Sequence, residues 1–182
     1  MTDQLENISI INTTIDDYEK VLWLFDQVMV LQGNNGYKVW ETIDKESLIT
    51  EIKNKQQFKI VEDSEILCLF SIQLNDPFIW REKDKNDAIY LHRIAVNPNF
   101  KGKKTFQKVL AWAMQFANQN NLKFIRMDTW SDNFKLIDYY KSFGFEFIES
   151  YKTSSDTSLP LQNRNLEVAL LQLKVQKKPT LM

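Results

Sequence analysis

A lysine-rich segment between a predicted strand and a predicted helix is the part of the sequence best suited to chemistry. It reads Asn99-Phe100-Lys101-Gly102-Lys103-Lys104-Thr105-Phe106. The first backbone N–H groups of a helix have no partner within it, and the helix dipole adds positive charge, so an anion such as a phosphate is stabilised there. Gly102 lets the backbone approach the anion closely. Positive charge comes from Lys101, Lys103, Lys104 and Lys108, although lysines in a surface loop can equally be no more than solvated.

The single histidine and the single cysteine are the other obvious candidates for chemistry. His92 lies inside a predicted buried strand, where a lone histidine is more often a hydrogen-bonded core residue than a catalytic base. Cys68 lies on another predicted strand, and nothing orients the two residues as nucleophile and base, which favours a core thiol. One cysteine excludes an internal disulfide, and the two residues are too few for a structural zinc site. We therefore expect no metal.

The elements that must position these residues follow from hydrophobic periodicity. Strands are predicted at 8–12, 58–61, 66–74, 88–96, 124–129, 146–151 and 166–175. Helices are predicted from the candidate caps Thr13 and Thr14 to a loop at Gly33–Gly36, and at about 45–55, 104–120 and 133–142. The strand at 88–96 is apolar on both faces, which is typical of a central strand, and with the next helix and strand it predicts a right-handed parallel unit. The pattern predicts one α/β domain over residues 1–182, a mixed sheet covered by helices on both faces.

Composition excludes several classes of function. The formal net charge is −1, so the overall field gives no reason to expect a nucleic acid or an anionic membrane as partner. No apolar run approaches the roughly 20 residues of a spanning helix, and the start at Met1–Glu6 is acidic where a signal peptide would be basic. We expect a cytoplasmic protein. Neither G-x-x-x-x-G-K-[ST] nor G-x-G-x-x-G occurs, so the two commonest nucleotide signatures are absent from the sequence.

Several pieces of the sequence occur together in a recognisable order. They are Leu91–Pro98, then Lys101-Gly102-Lys103, Leu110, Arg126–Thr129, Asn133, and Asp138–Phe145. In order and spacing they resemble the GNAT N-acetyltransferase superfamily, most strongly over residues 88–148, while the N-terminal third matches in element order only. The resemblance implies a GNAT-like fold with a mostly antiparallel sheet and a parallel, splayed strand pair. It also implies transfer of an acetyl group from acetyl-CoA to a primary amine.

The resemblance implies roles for particular residues. It implies that the backbone of Ile94, Ala95 and Val96 pairs with the pantetheine arm, much as another strand would. It implies that Asn133 contacts the cofactor, that Tyr140 is the general acid, and that backbone N–H groups from Lys101, Gly102, Lys103, Lys104, Thr105 and Phe106 wrap the pyrophosphate. The family pattern is usually R-G-x-G-x-G or Q-x-x-G-x-A, whereas Lys104 and Phe106 stand at its second and third small positions here. Side chains at those positions could crowd the phosphates or replace lost contacts.

The implied reaction is direct attack of a neutral amine on the thioester. A backbone N–H near Ile94 would stabilise the developing oxyanion, and Tyr140 would protonate the leaving thiolate. Packing is the alternative for Tyr140, because apolar residues surround it on its helix. No unique general base stands out among the acidic residues. Rival functions are a non-catalytic CoA-binding sensor or scaffold of the same fold, and a protein-interaction module that binds no CoA ester.

The acceptor is a small-molecule or peptide amine that the sequence leaves unidentified. Its selection would fall to the N-terminal helices and the loops at 33–40, 78–80 and 153–164. Five aromatic residues could form a pocket wall that receives a cationic amine, or could equally be packing: Tyr37, Trp40, Phe78, Trp80 and Trp130. The sequence leaves the oligomeric state open, and a homodimer through the closing strands at 146–151 and 166–175 is one alternative.

Overall fold

The computed structural model describes residues 8–40, 42–100, 102–157 and 163–177. Its strands are β1 (Ile8–Asn12), β2 (Gln57–Glu62), β3 (Glu65–Gln73), β4 (Ala88–Val96), β5 (Phe124–Trp130), β6 (Glu146–Lys152) and β7 (Glu167–Lys174). Its helices are α1 (Tyr18–Asn34), α2 (Lys45–Lys53), α3 (Pro77–Trp80), α4 (Thr105–Gln119) and α5 (Phe134–Lys141). Short 3₁₀ turns lie at Ile15–Asp17, Arg81–Lys83 and Pro98–Phe100.

The strands form a mixed sheet in the order β1-β2-β3-β4-β5-β7-β6, with helices around it. Antiparallel pairing joins β1 to β2, β2 to β3, β5 to β7, and β6 to β7, while β4 and β5 are parallel. The predicted mixed α/β fold with one parallel pair is therefore confirmed. The hairpin between β2 and β3 turns at Asp63 and Ser64, both with positive φ, as the tight turns that match strand twist require.

Two predicted element boundaries were wrong. The first helix continues through Gly33 and ends at Asn34, and the left-handed residue that follows its end is Gly36, with φ +77°. The stretch 78–80 was predicted as a loop but belongs to α3, because Asp76 caps it by accepting from the Ile79 N–H at 3.3 Å and proline occupies its first position.

The chain divides into two compact units, and it crosses from one to the other three times. The first unit comprises residues 1–71 and 93–110. Its apolar core is built from the inward faces of α1 and α2, from residues of β3 and β4, and from one residue just before α2: Val21, Leu24, Phe25, Ile43, Leu48, Ile52, Leu69 and Ala95. Five of these eight residues lie on α1 and α2, as the apolar faces of amphipathic helices require.

The second unit comprises residues 72–92 and 111–182. Its apolar cluster contains Ile79, Trp80, Ala88, Tyr90, Val168 and Leu170. Beside it the buried Arg126 donates to Gln172 Oε1 (2.8 Å), to the Lys83 carbonyl (2.8 Å) and to the Tyr90 hydroxyl (2.9 Å). A buried guanidinium is tolerated because its donors find acceptors and its face lies 4.6 Å from the Trp80 ring. The prediction of a single domain over residues 1–182 stays a prediction.

No helix in the described part of the chain is long and apolar enough to cross a lipid bilayer.

Candidate functional site

The end of β4 changes conformation where the cofactor-binding strand was predicted. The parallel register pairs Ala88–Leu91 with Phe124–Met127, and β4 then runs on to Val96. Arg93, just after the paired stretch, has φ +51°. A left-handed residue inside a strand interrupts the regular ladder, as in a β-bulge. Ile94, Ala95 and Val96 follow this interruption, with Ala95 buried and its two neighbours partly exposed.

A buried ion pair supports the unusual backbone at Arg93. Its guanidinium lies 3.2 Å from Glu51 Oε1 and donates to Ser47 Oγ at 3.1 Å, both on α2. The other oxygen of Glu51 accepts from the Ser71 hydroxyl at 2.7 Å. Left-handed φ costs an ordinary residue roughly 1–2 kcal/mol, and a buried charge is tolerated only when paired. The network therefore fixes the strand just before Ile94, and no local sequence signal predicted it.

Asn97 fixes the turn that leads from β4 into the predicted phosphate loop. Its backbone N–H donates to the Leu67 carbonyl (2.9 Å), its side-chain amide donates to the Ile66 carbonyl (2.8 Å), and its Oδ1 accepts from the Asn99 N–H (3.0 Å). This buried residue thus ties the loop to β3. Asparagine suits the position because its amide both donates and accepts.

The predicted phosphate loop has the backbone that an anion-binding turn needs. Gly102 is exposed with φ +85°, and no heavy atom lies within 4 Å of the position a Cβ would take. Lys104, at one of the positions where the family has a small residue, has φ +52°. It therefore adopts the left-handed backbone that glycine adopts readily. The carbonyl of Lys104 accepts from the Lys108 N–H at 3.4 Å, so α4 begins here, with the N–H groups of its first turn directed toward the loop.

The side chains of this loop are used differently from the sequence-based expectation. The ammonium of Lys103 lies 2.7 Å from Glu62 Oε2, and that of Lys108 donates to the Lys103 carbonyl at 3.2 Å. Thr105 and Phe106 are buried, so they can offer only their backbone to a ligand at this surface. Lys101 lies outside the described residues. Charge near the loop is thus partly neutralised, and the backbone is the main source of donors.

Asn133 and Tyr140 lie on one helix of the second unit. The Asn133 side chain is the N-cap of α5 and accepts from the Leu136 N–H at 3.1 Å. Tyr140 lies in the last turn, 8% exposed, with its ring centre 6.2 Å from that of Phe145. Cofactor binding was the sequence-based expectation for Asn133, and the cap was not foreseen, although asparagine before an apolar helix is a common capping signal.

His92 lies between two aspartates that no sequence pattern connects with it. Its Nε2 is 3.6 Å from Asp76 Oδ2, and its Nδ1 is 3.7 Å from Asp128 Oδ1. Burial raises the pKa of Asp76 to about 7, and the charge of Asp128 adds to the rise. Burial likewise raises the pKa of Asp128 to about 6. Three titratable groups therefore meet here, from the loop before α3, from β4 and from β5.

The remaining candidates divide between core and surface. Cys68 is fully buried, and burial raises the pKa of its thiol to about 12, which supports a core role. Trp80 is fully buried against Tyr90, with ring centres 5.8 Å apart, so it belongs to the core and not to a pocket wall. Trp40 and Phe78 are exposed, and Tyr37 and Trp130 are partly exposed. Residues 158–162 of the last predicted acceptor loop lie outside the described residues.

Comparison of the sequence with known families gives a match over most of the chain. A profile described as the acetyltransferase (GNAT) family matches residues 25–145. The uncharacterized N-acetyltransferase YesJ of Bacillus subtilis is 33% identical over 119 residues. That alignment spans 65% of this chain and 63% of YesJ, so the match covers somewhat less than two thirds of the relative's length.

Solved structures show the same fold at low sequence identity. An acetyltransferase of the GNAT family from Listeria monocytogenes has a TM-score of 0.76 at 17% identity, covering 96% of this chain and 98% of that one. The yncA protein of Salmonella typhimurium, whose structure contains its cofactor acetyl-CoA, has a TM-score of 0.63 at 15% identity, covering 95% of this chain and 96% of that one.

Proposed function

Because the chain belongs to the acetyltransferase (GNAT) family, we propose that it transfers the acetyl group of acetyl-CoA to a primary amine of a small molecule or peptide. The observation that carries this proposal is the segment from Arg93 to α4. There a left-handed strand residue, an anchored turn and two further left-handed residues, Gly102 and Lys104, lead into a helix N-terminus. A CoA thioester, with a pyrophosphate beside a strand-like pantetheine arm, is the ligand that this segment suits.

Acetyl-CoA supplies an activated acetyl group as a thioester, and the residues of this chain bind and orient it. The loop from Gly102 to Phe106 would hold the pyrophosphate through backbone N–H groups, with Lys101 at its start. The backbone of Ile94, Ala95 and Val96 would pair with the pantetheine arm. An N–H near Ile94 would donate to the carbonyl oxygen as charge develops on it. Asn133 would serve the cofactor through its amide N–H₂, because its oxygen already caps α5.

Tyr140 is the proposed general acid. A phenol with an ordinary pKa of about 10 can donate a proton to a departing thiolate. Its helix is held at its start by the Asn133 cap and is followed by Gly144, which has φ +91°. Packing against Phe145 restricts the ring, and such restriction favours a fixed donor position. The proposal is direct attack by the amine, with no acetylated residue of the protein.

The loop assignment is tested by calorimetric titration with acetyl-CoA and CoA. Gly102→Asp adds a carboxylate where the pyrophosphate is proposed to bind, so we expect binding at least about tenfold weaker than in the wild type. Gly36→Asp is the matched control, because Gly36 also has a positive φ and open space around it. Equal weakening in both variants would show a general effect of strain and contradict the loop assignment. Absence of binding to wild-type protein would overturn the acetyltransferase proposal in favour of an interaction module.

Activity is tested by measuring acetyl transfer to methylamine, spermidine, glycine amide and an alanyl peptide. CoA release that depends on one of these amines is the expected result. Tight CoA binding without transfer to any of them would favour the non-catalytic sensor or scaffold of the same fold.

A further inference from the structure

We propose that His92 is the general base of this acetyl transfer, held in place by Asp76 and Asp128. The inference rests on the proposed function, since it supplies the group that removes a proton from the acceptor. An alkyl ammonium must lose a proton before its nitrogen can attack, and histidine is the side chain best suited to accept one near neutral pH. The cluster consists of these three residues and is called the His92 cluster below.

The geometry of the His92 cluster presents one carboxylate to each ring nitrogen. Asp76 Oδ2 lies 3.6 Å from Nε2, and Asp128 Oδ1 lies 3.7 Å from Nδ1. Both separations are longer than a hydrogen bond, as is common for catalytic groups without substrate. In their ionised form, the two flanking carboxyl groups stabilise the imidazolium that forms when the ring takes a proton. The arrangement is therefore suited to proton uptake.

Asp76 gives the strongest support for a functional role of the cluster. It is 5% exposed, its Oδ1 accepts from the Ile79 N–H, and its backbone N–H donates to Asp84 Oδ2 at 2.8 Å. The Oδ2 atom that faces His92 is buried and has no hydrogen-bond partner among the described residues. Leaving a carboxylate oxygen without a donor is costly, and a catalytic role is one reason for such an atom to persist. A proton on His92 or an acceptor ammonium would supply the donor.

Other charged groups around the cluster favour a cation within it. Asp84 adds negative charge beside Asp76. The Tyr151 phenol is close enough to Asp76 and Asp128 for both to raise its pKa, after burial, while Arg81 lies 3.7 Å from the Tyr151 ring centre and lowers it. Arg81 also pairs with Glu149 on β6. The two aspartates beside the ring, with Asp84 behind Asp76, thus favour both the imidazolium and the ammonium of an acceptor.

The position of His92 along the chain connects it with the proposed reaction. It is two residues before Ile94, and covalent geometry keeps the backbones of such residues within roughly 7 Å of each other. At this separation from the reacting carbonyl, a general base can accept the proton directly or through one bridging water. The His92 side chain is 21% exposed and that of Asp128 is 22% exposed, so the cluster has access to solvent, although His92 Nε2 itself is buried.

Proton transfer and bond formation balance in this step. The acceptor ammonium gives one proton to His92, and the nitrogen lone pair then forms a bond to the acetyl carbon while the carbon–sulfur bond breaks. Sulfur takes the proton of Tyr140, and the second proton lost by nitrogen restores Tyr140. The proton on His92 leaves to solvent, so one proton is released for each amine acetylated.

A divalent cation is the competing occupant of the cluster, because its three donor atoms lie within 4.8 Å of one another. A single ion would bind one ring nitrogen, whereas here the two nitrogens face different carboxylates. The geometry therefore favours a proton. Full activity in EDTA is expected, and activity lost in EDTA and restored by zinc would overturn the assignment.

The cluster is tested first by proton NMR of the full-length protein, in which His92 is the sole histidine and its ring signals are unambiguous. Asp76→Asn and Asp128→Asn each remove a carboxylate that favours the imidazolium, so the titration midpoint should move to lower pH in both. The asparagine of Asp76→Asn retains an oxygen for the Ile79 N–H. Asp63→Asn, in the exposed β2–β3 turn, removes the same charge and should leave the midpoint unchanged. Equal midpoints in the wild type and all three variants would overturn the proposal.

The base is tested by comparing two kinds of acceptor in His92→Gln, with His92→Asn as a second variant if the first does not fold. The best of the four primary amines is protonated at neutral pH, whereas hydroxylamine is largely uncharged and needs no base before attack. We expect about a 100-fold loss of kcat/KM with the primary amine and little change with hydroxylamine. Equal losses with both acceptors, or no loss, would overturn the inference alone. Wild-type protein that transfers to no amine would overturn the proposed function itself.

Discussion

Two residues of the proposed cofactor segment have unusual backbone angles. Arg93 and Lys104 both have a positive φ, although neither is glycine, and such residues cost roughly 1–2 kcal/mol each. Arg93 is held by its buried pairing with Glu51, and Lys104 stands directly before α4, where its carbonyl accepts from the helix. Strain of this kind persists only where surrounding contacts support it, and it is concentrated at functional sites. The two angles therefore agree with the proposed binding segment.

At the residue scale, Tyr140→Phe tests the general acid. Removing the hydroxyl keeps the ring that packs against Phe145, so folding should be preserved, whereas thiolate protonation is lost. We expect kcat for acetyl transfer to fall roughly 100-fold, with acetyl-CoA affinity unchanged by calorimetry. Tyr139→Phe is the matched control, since Tyr139 is the neighbouring exposed tyrosine of α5. Activity equal to that of the control would assign Tyr140 to packing.

At the element scale, α5 depends on its cap. Asn133→Ala removes the oxygen that accepts the Leu136 N–H, and it should lower the free energy of unfolding by about 1 kcal/mol, measured in urea. Asn133→Asp keeps the cap and should retain stability. These two variants also separate the capping role of Asn133 from its proposed cofactor contact. The aspartate lacks the amide N–H₂ and has a charge that disfavours phosphate. Weaker acetyl-CoA binding in Asn133→Asp at wild-type stability would support cofactor contact, and unchanged binding would contradict it.

The elements themselves were largely predictable because each has a clear hydrophobic period. The apolar stripe of α4 is buried at Phe106, Val109, Ala113 and Ala117, as a helix lying on a sheet requires. The strand at 88–96 is apolar on both faces, which predicted a central strand, and β4 is indeed buried on both faces over Ala88–Leu91. The errors lie where a local signal competed with another: Gly33 is tolerated inside α1, and Pro77, just before the predicted loop at 78–80, begins α3.

At the scale of the whole molecule, stability should depend on pH through Asp76. Its folded pKa of about 7 is above the ordinary value of 3.8, so between these values the folded chain holds a proton that the unfolded chain has lost. The contribution to stability is complete below about pH 4 and is lost as the pH rises through about 7. Asp128 acts in the same direction up to about pH 6.

Asp76→Asn should therefore flatten the fall in melting temperature between pH 4.5 and pH 8, measured calorimetrically. The asparagine keeps the cap oxygen of α3 and has no proton to lose. Asp63→Asn, at an exposed turn, should follow the wild-type curve. Parallel curves for wild type and Asp76→Asn would contradict the assigned pKa shift.

The site was less predictable than the fold, for a reason that belongs to the whole molecule. Asp76, His92 and Asp128 come from three separate elements, and no short motif connects them. Glu51 and Arg93 likewise meet only because α2 packs beside β4 in the first unit. Hydrophobic periodicity specifies which face of an element is buried, but it carries no information on which polar residues meet.

The burial of Cys68 makes the protein convenient for a colorimetric assay. Acetyl transfer releases CoA as a free thiol, which attacks an aromatic disulfide such as Ellman's reagent, forms a mixed disulfide with it and releases a coloured aromatic thiolate. The chain has one cysteine, and in the folded state it is fully buried with a thiol pKa of about 12, so it contributes almost no reactive thiolate. Colour from the native protein would therefore count turnovers of the proposed reaction, and labelling of Cys68 without substrate would report how often the core opens.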